Sequence, residues 1–196
     1  MCISRRPEVL HTSQSSRRIS VIKDRIGKIL FGIAGMLIVA CELVVICIET
    51  MVNIGGITYV HTAIGYLAAI ILLIIGSLFI KKPVSAVVFA VMLILNIWLF
   101  SGMFADADNG YGYVGTLVLL LAAHIAIIII YCIVTLKYLF PRAPEYVIVF
   151  IIAVALLICL FFLGVPVFFV CPFIVAIFSV VWVVSAFKKP AVESAQ

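Results

Sequence analysis

The sequence predicts an all-α polytopic membrane protein with six transmembrane helices and with both termini in the cytoplasm. Hydrophobic residues make up 67% of the 196 residues and charged residues only 11%, whereas a soluble domain has about 45–50% apolar and about 25% charged residues. This composition excludes soluble enzymes and nucleic-acid-binding domains. The apolar runs 70–75 and 127–130 do not alternate with polar residues, which excludes a transmembrane β-barrel.

The chain divides into a basic arm, a helical bundle and a short tail. Residues 1–27 form the polar, basic arm, and residues 188–196 form a short cytoplasmic tail. Between them, 28–187 holds six apolar segments, each near the ~20 residues that cross a bilayer as a helix. The predicted spans are 28–51, 58–80, 84–104, 113–137, 146–163 and 166–187.

Each boundary between spans has a chemical cause. Two lysines and a proline at 81–83 end the second span and begin the third, and the acidic, Asn-Gly turn at 106–110 separates the third from the fourth. Two prolines within 141–145 separate the fourth span from the fifth. Gly-Val-Pro at 164–166 divides the last apolar stretch, which is too long for one span.

The positions of the basic residues predict the orientation. With the N-terminus in the cytoplasm and six spans, all 13 lysines and arginines lie on the cytoplasmic side. The opposite loops carry Asp106 and Asp108. Because positive residues mark cytoplasmic loops, we expect both termini in the cytoplasm; five or seven spans would break the pattern.

Few ionisable residues lie within the apolar segments, and such residues are functional candidates because their burial in lipid is costly. Counting about 1.5 Å per helical residue, Glu42, Asn96 and His124 lie roughly 12–16 Å from the outer surface. By the same count, Glu49 and His61 form a shallower layer at roughly 3–5 Å. Carboxylate and imidazole pairs are usual parts of a proton relay or a coupling site. The alternative is that the same groups only fix helix packing through hydrogen bonds.

No cofactor, metal or enzymatic activity is expected. His61 and His124 differ in predicted depth by roughly 11 Å, which does not suit the two axial ligands of one haem. The sequence has neither a CxxC nor an HExxH pattern, and the serines within the spans have no base in a recognisable arrangement.

The basic arm predicts contact with the anionic lipids of the cytoplasmic leaflet. Isoleucines at 19, 22, 26 and 29 recur at helical spacing among basic residues, which is typical of an amphipathic helix on a membrane surface. Ser20 follows two arginines, a pattern that basophilic kinases read, so it is a candidate for regulatory phosphorylation.

Two functions remain open at this point. The first is a small transporter or channel subunit for a small solute, with proton coupling through the intramembrane Glu/His layer as one mode. The second is a non-catalytic membrane-organising protein or an accessory subunit of a membrane complex. Small residues at four-residue spacing, such as Ala86 and Ala90, allow close helix contacts, either within the bundle or with a second copy or partner subunit. No nucleic-acid partner is expected.

Overall fold

The computed structural model describes residues 8–51, 55–105, 110–141 and 167–188, together with Pro144 and Val147. This part of the chain is helical and contains no strand. Its five long helices, in chain order, are α1 (Glu8–Met51), α2 (Gly55–Phe79), α3 (Pro83–Ala105), α4 (Gly110–Leu139) and α5 (Val167–Phe187).

Four helices are long and apolar enough to cross a membrane. The spans are Arg18–Val44, His61–Phe79, Pro83–Gly102 and Val118–Leu139, and α5 holds a shorter apolar stretch, Pro172–Phe187. The predictions of an all-α fold and of helices long and apolar enough to cross a membrane are confirmed for the described residues, in agreement with an integral membrane protein. The predicted fifth span, 146–163, lies outside the described residues except for Val147.

Helix α1 begins within the basic arm and runs for 44 residues without interruption. The amphipathic segment is therefore continuous with the helix of the first predicted span and does not form a separate helix. Residues 8–26 contain no glycine or proline, so nothing in the local sequence breaks the helix before the apolar segment. Ile19, Ile22 and Ile26, in the last turns of the arm, are exposed.

The helices pack as a closed ring in chain order, because each contacts the next and α5 returns to α1. Glycines allow the closest approaches, as small residues do in membrane bundles. A Cβ atom at Gly27 would lie 2.9 Å from the carbonyl oxygen of Gly76 on α2. A Cβ atom at Gly32 would lie 3.0 Å from the carbonyl oxygen of Ser179 on α5.

A group of aromatic and hydroxyl side chains joins α1, α4 and α5 near the basic end. Phe31 is fully buried, and its ring centroid lies 4.7 Å from that of Trp182. The indole Nε1 of Trp182 donates a hydrogen bond to Thr135 Oγ1 at 2.8 Å. The hydroxyls of Tyr131 and Ser179 are 3.2 Å apart. Each hydrogen bond of this group either joins two helices or ends on a backbone carbonyl oxygen, so the group stabilises the bundle.

Candidate functional site

The first component of the candidate site is a buried carboxylate on α1. Glu42 is only 8% exposed, and Tyr66 on α2 is 1% exposed. The Tyr66 hydroxyl donates a hydrogen bond to Glu42 Oε1. A carboxyl group removed from water needs such a partner, because burial without one is strongly unfavourable.

The second component is a buried imidazole on α4. His124 is 8% exposed, and its ring lies flat against the ring of Tyr66, with centroids 3.8 Å apart and planes 3° from parallel. Tyr66 therefore contacts both residues: its hydroxyl binds Glu42 and its ring face carries His124. One tyrosine thus links α1, α2 and α4 in the interior of the bundle.

One polar atom of this site lacks a partner. The Nε2 atom of His124 is buried and has no hydrogen bond to any described residue. Buried polar groups in proteins are nearly always hydrogen-bonded, so each exception needs an explanation. An imidazole nitrogen can accept a proton or donate one, and it can bind water or the polar group of a solute.

Close packing of α1 on α2 holds Glu42 and Tyr66 together. Each is preceded by a residue at the helix contact: Cys41 before Glu42, and Gly65 before Tyr66. A Cβ atom at residue 65 would overlap Cys41 Sγ. Because only hydrogen occupies that position in glycine, the two backbones approach closely enough for the Tyr66 hydroxyl to reach the carboxylate.

Asn96, which the sequence predicts at the same depth, has different contacts. It is 2% exposed, and its Nδ2 donates to the carbonyl oxygen of Met92, one turn earlier on α3, at 2.9 Å. Among the described residues, no hydrogen bond joins Asn96 to Glu42, Tyr66 or His124. Two members of the predicted deeper layer are therefore brought together, and the third binds its own helix.

The other candidate residues lie apart from this site. His61 is an exposed residue near the start of α2, whereas Tyr66 and His124 are buried. Glu49 belongs to α1, but its side chain lies outside the described part. Ser20 is near the other end of α1, where Lys81 Nζ lies 3.4 Å from its hydroxyl.

The sequence prediction missed Tyr66. Tyrosines in membrane proteins are enriched at the interface with water, so a tyrosine near a span end carries little information. Tyr66 lies five residues further into the span than His61. A buried phenol usually finds a hydrogen-bond partner. The position of Tyr66 inside the span could therefore have indicated a polar contact within the bundle.

Among the residues that the structure describes, no group of three or more His, Cys, Asp or Glu side chains could hold a metal ion. The carboxyl, phenol and imidazole groups of Glu42, Tyr66 and His124 offer acid–base and hydrogen-bonding chemistry.

Comparisons with protein-family models, with curated proteins and with solved structures found no match to this chain.

Proposed function

We propose that this chain is a small multi-pass membrane transporter or channel subunit for a small solute, with Glu42, Tyr66 and His124 as its binding or proton-coupling site. The observation that carries the proposal is the contact of a buried carboxylate and a buried imidazole with one tyrosine. The Nε2 atom of His124, which has no hydrogen bond to any described residue, can accept or donate a proton at this cluster.

A purely structural cluster would satisfy its polar atoms, because a partly satisfied polar network destabilises a fold. The hydroxyl cluster of Tyr131, Ser179 and Thr135 meets that requirement through hydrogen bonds between helices and to backbone carbonyls. The Glu42 cluster leaves one imidazole nitrogen for a mobile partner. Ser77 Oγ is also buried without a partner among the described residues, so the functional assignment rests on the unpartnered atom being an imidazole nitrogen beside a carboxyl group, a pair that can exchange protons.

The proposed chemistry uses a proton at His124. Protonation at Nε2 converts the imidazole to an imidazolium ion, which the π face of the Tyr66 ring stabilises through a cation–π interaction. Glu42, when ionised, supplies the opposite charge at the hydroxyl of the same tyrosine. The proton then travels with the solute, or its arrival changes the packing of α4 on α2.

The proposed topology has six transmembrane helices with both termini in the cytoplasm. It is supported by the convergence of Arg25 on α1, Lys81 after α2 and Lys188 after α5 on one groove, because positive residues mark the cytoplasmic side. A glycosylation acceptor inserted in a eukaryotic membrane tests it. We expect modification at 106–110 and none at 81–83; the reverse pattern would contradict the orientation.

The partners proposed for the chain follow from its two surfaces. The basic arm binds the anionic cytoplasmic leaflet, and phosphorylation of Ser20 weakens that attachment by adding negative charge. The bundle associates with a second copy or with another membrane subunit through its outer apolar surface, because Ala86 of the small-residue pair is buried inside the bundle.

A flux measurement tests the transport proposal. The purified protein is reconstituted into liposomes that contain a pH-sensitive dye, and candidate solutes are added outside. Glu42→Gln and His124→Ala are expected to abolish proton or solute movement while the protein remains folded. Ser77→Ala is the matched control. Ser77 Oγ is also buried on α2 without a partner among the described residues, but it lies about 16 Å along the helix from Tyr66 and is therefore outside the proposed site.

Two outcomes would contradict the proposal. Loss of flux in Ser77→Ala as well would show that the assay reports general damage to buried polar groups. No flux in the folded wild-type protein would favour the membrane-organising alternative, and co-purification of a stoichiometric membrane partner would then identify the complex.

A further inference from the structure

A groove lies at the basic end of the bundle, where α1, the end of α2 and the end of α5 meet. Its volume is about 280 Å³, and it is open on one side. The polar wall is formed by side chains from all three segments: Ser20, Asp24, Arg25, Lys28, Lys81, Ser185 and Lys188. Lys28 is fourteen residues before Glu42, so the groove is roughly 20 Å along α1 from the Glu42 site.

The charge of the groove is strongly positive. Its wall carries four cationic side chains and one carboxylate. That carboxylate, Asp24, is paired with Lys28 at 2.5 Å, and the Lys28 ammonium lies 5.5 Å from the centroid of the Tyr138 ring. Within the described part of the chain, no ion pair involves Arg25, Lys81 or Lys188, so three cations remain available for an anion.

The backbone at Lys81 is unusual. Its φ angle is +57°, the left-handed conformation that is normally taken by glycine at the end of a helix. The amide of Lys82 bonds to the carbonyl of Ser77, and the amide of Lys81 bonds to that of Leu78, which is the Schellman pattern of a helix C-terminus. A lysine in this conformation is strained, and such strain is characteristic of functional positions.

The strained turn directs the lysine toward the opposite wall. Lys81 Nζ lies 3.4 Å from the hydroxyl of Ser20 on α1. The groove therefore places an ammonium group and a hydroxyl group side by side, with a guanidinium on the same wall. Guanidinium, ammonium and hydroxyl donors together are the groups that bind phosphate oxygens.

The remainder of the groove is apolar. Val21, Phe79, Ile80 and Ala186 complete its lining; Ile80 directly follows α2, and the other three belong to helices that continue into the predicted spans. An amphiphilic groove at the end of a membrane bundle suits a headgroup whose acyl chains continue into lipid. Its volume is near the lower end of the range for small-molecule pockets, so it accommodates a headgroup and excludes a whole lipid.

We propose that this groove binds the phosphate of an anionic phospholipid headgroup, with Arg25, Lys81 and Lys188 as the cationic ligands and Ser20 as a hydroxyl donor. The site is independent of transport at Glu42. It gives the general attraction between the basic arm and the membrane a specific point of attachment.

A binding experiment on the full chain in a neutral detergent tests this site. Dioctanoyl phosphatidic acid is titrated, and the thermal unfolding midpoint is followed, because a ligand that binds only the folded protein raises it. We expect a saturable rise with this lipid and none with dioctanoyl phosphatidylcholine. Inorganic phosphate at equal concentration is expected to have little effect, and an equal effect would overturn the lipid assignment in favour of a free-anion site.

Charge-matched variants locate the binding. Arg25→Gln/Lys81→Gln removes one arginine of α1 and one lysine of the turn, and we expect apparent affinity to fall roughly tenfold or more, since hydrogen bonds to charged groups are strong. Arg18→Gln/Lys82→Gln removes the same two residue types from neighbouring exposed positions that do not line the groove. Equal losses in the two double variants would overturn the site in favour of general charge attraction.

A third variant separates loss of binding from loss of folding. Lys81→Gly removes the cation and places the residue preferred for the left-handed turn at this position. We expect its unfolding midpoint without lipid to equal or exceed that of the wild type, and its response to phosphatidic acid to be reduced. A full lipid response in this folded variant would show that the Lys81 ammonium takes no part.

Discussion

Replacement of Gly35 by alanine is expected to destabilise the bundle by about 1–3 kcal/mol, because the new methyl group has no space. A Cβ atom at this position would overlap the hydroxyls of Ser179 and Tyr131 and would lie 2.8 Å from Tyr131 Cζ. The Tyr131 ring is fully buried, so it cannot move away from the methyl group without repacking α4.

The magnitude combines three contributions. Overpacking in a filled core costs about 1–3 kcal/mol. Rotation of Ser179 away from the methyl group breaks its contact with the Tyr131 hydroxyl, a loss of about 0.5–1.5 kcal/mol. Alanine recovers about 1 kcal/mol of helix propensity relative to glycine. The first two contributions exceed the third, so the net effect is destabilising.

The assay is unfolding by SDS in mixed micelles, followed by the fluorescence of the fully buried Trp182. A Trp98→Phe background makes Trp182 the only tryptophan, since the sequence contains two. Gly115→Ala is the control, because a Cβ atom there meets nothing within 4 Å. Equal stability of Gly35→Ala and Gly115→Ala would refute the close approach of α1 to α4 and α5.

Three further predictions use simpler comparisons. Phe31→Ala is expected to lower the free energy of unfolding in SDS by about 3–5 kcal/mol, because Phe31 is fully buried. Trp98→Ala, at a residue that is 67% exposed, is expected to change it by about 0.5 kcal/mol or less. Equal effects would contradict the burial of Phe31 in the core. Trp182→Phe removes the donor to Thr135 Oγ1 and, with unfolding followed by circular dichroism because the fluorescent residue is lost, is expected to lower that free energy by about 1–3 kcal/mol; in a double-mutant cycle the loss is smaller in a Thr135→Val background. Ser20→Asp places a carboxylate beside Lys81 and is expected to weaken the stabilisation by dioctanoyl phosphatidic acid, whereas Ser185→Asp on the far wall of the groove has a smaller effect.

The apolar segments were predictable because lipid leaves the backbone few choices. A buried amide in a bilayer must bond within its own helix, so long apolar runs specify helices without knowledge of their neighbours. Helix α1 also extends into the basic arm, where the charged composition indicated a surface segment. Charged residues favour contact with water or lipid headgroups, but they do not by themselves end a helix. The arm contains no glycine or proline between residues 8 and 26, so α1 continues through it.

The composition of the candidate site was predictable only in part. Depth along a helix follows from counting residues, and it placed Glu42, Asn96 and His124 at one level. The direction that each side chain faces depends on how the helices rotate against one another, which depth does not specify. Asn96 binds the Met92 carbonyl of its own helix, a local contact that competes with contacts between helices. Tyr66 supplies the missing connection.

We propose that the Tyr66 hydroxyl couples Glu42 and His124 during transport. The most direct test compares proton or solute flux in liposomes for Tyr66→Phe and Tyr131→Phe. Both variants lose one buried hydroxyl and keep the aromatic ring, but only Tyr66 binds Glu42. We predict that Tyr66→Phe abolishes or strongly reduces flux while Tyr131→Phe, after correction for folded protein, retains it. Wild-type flux in Tyr66→Phe would contradict the account.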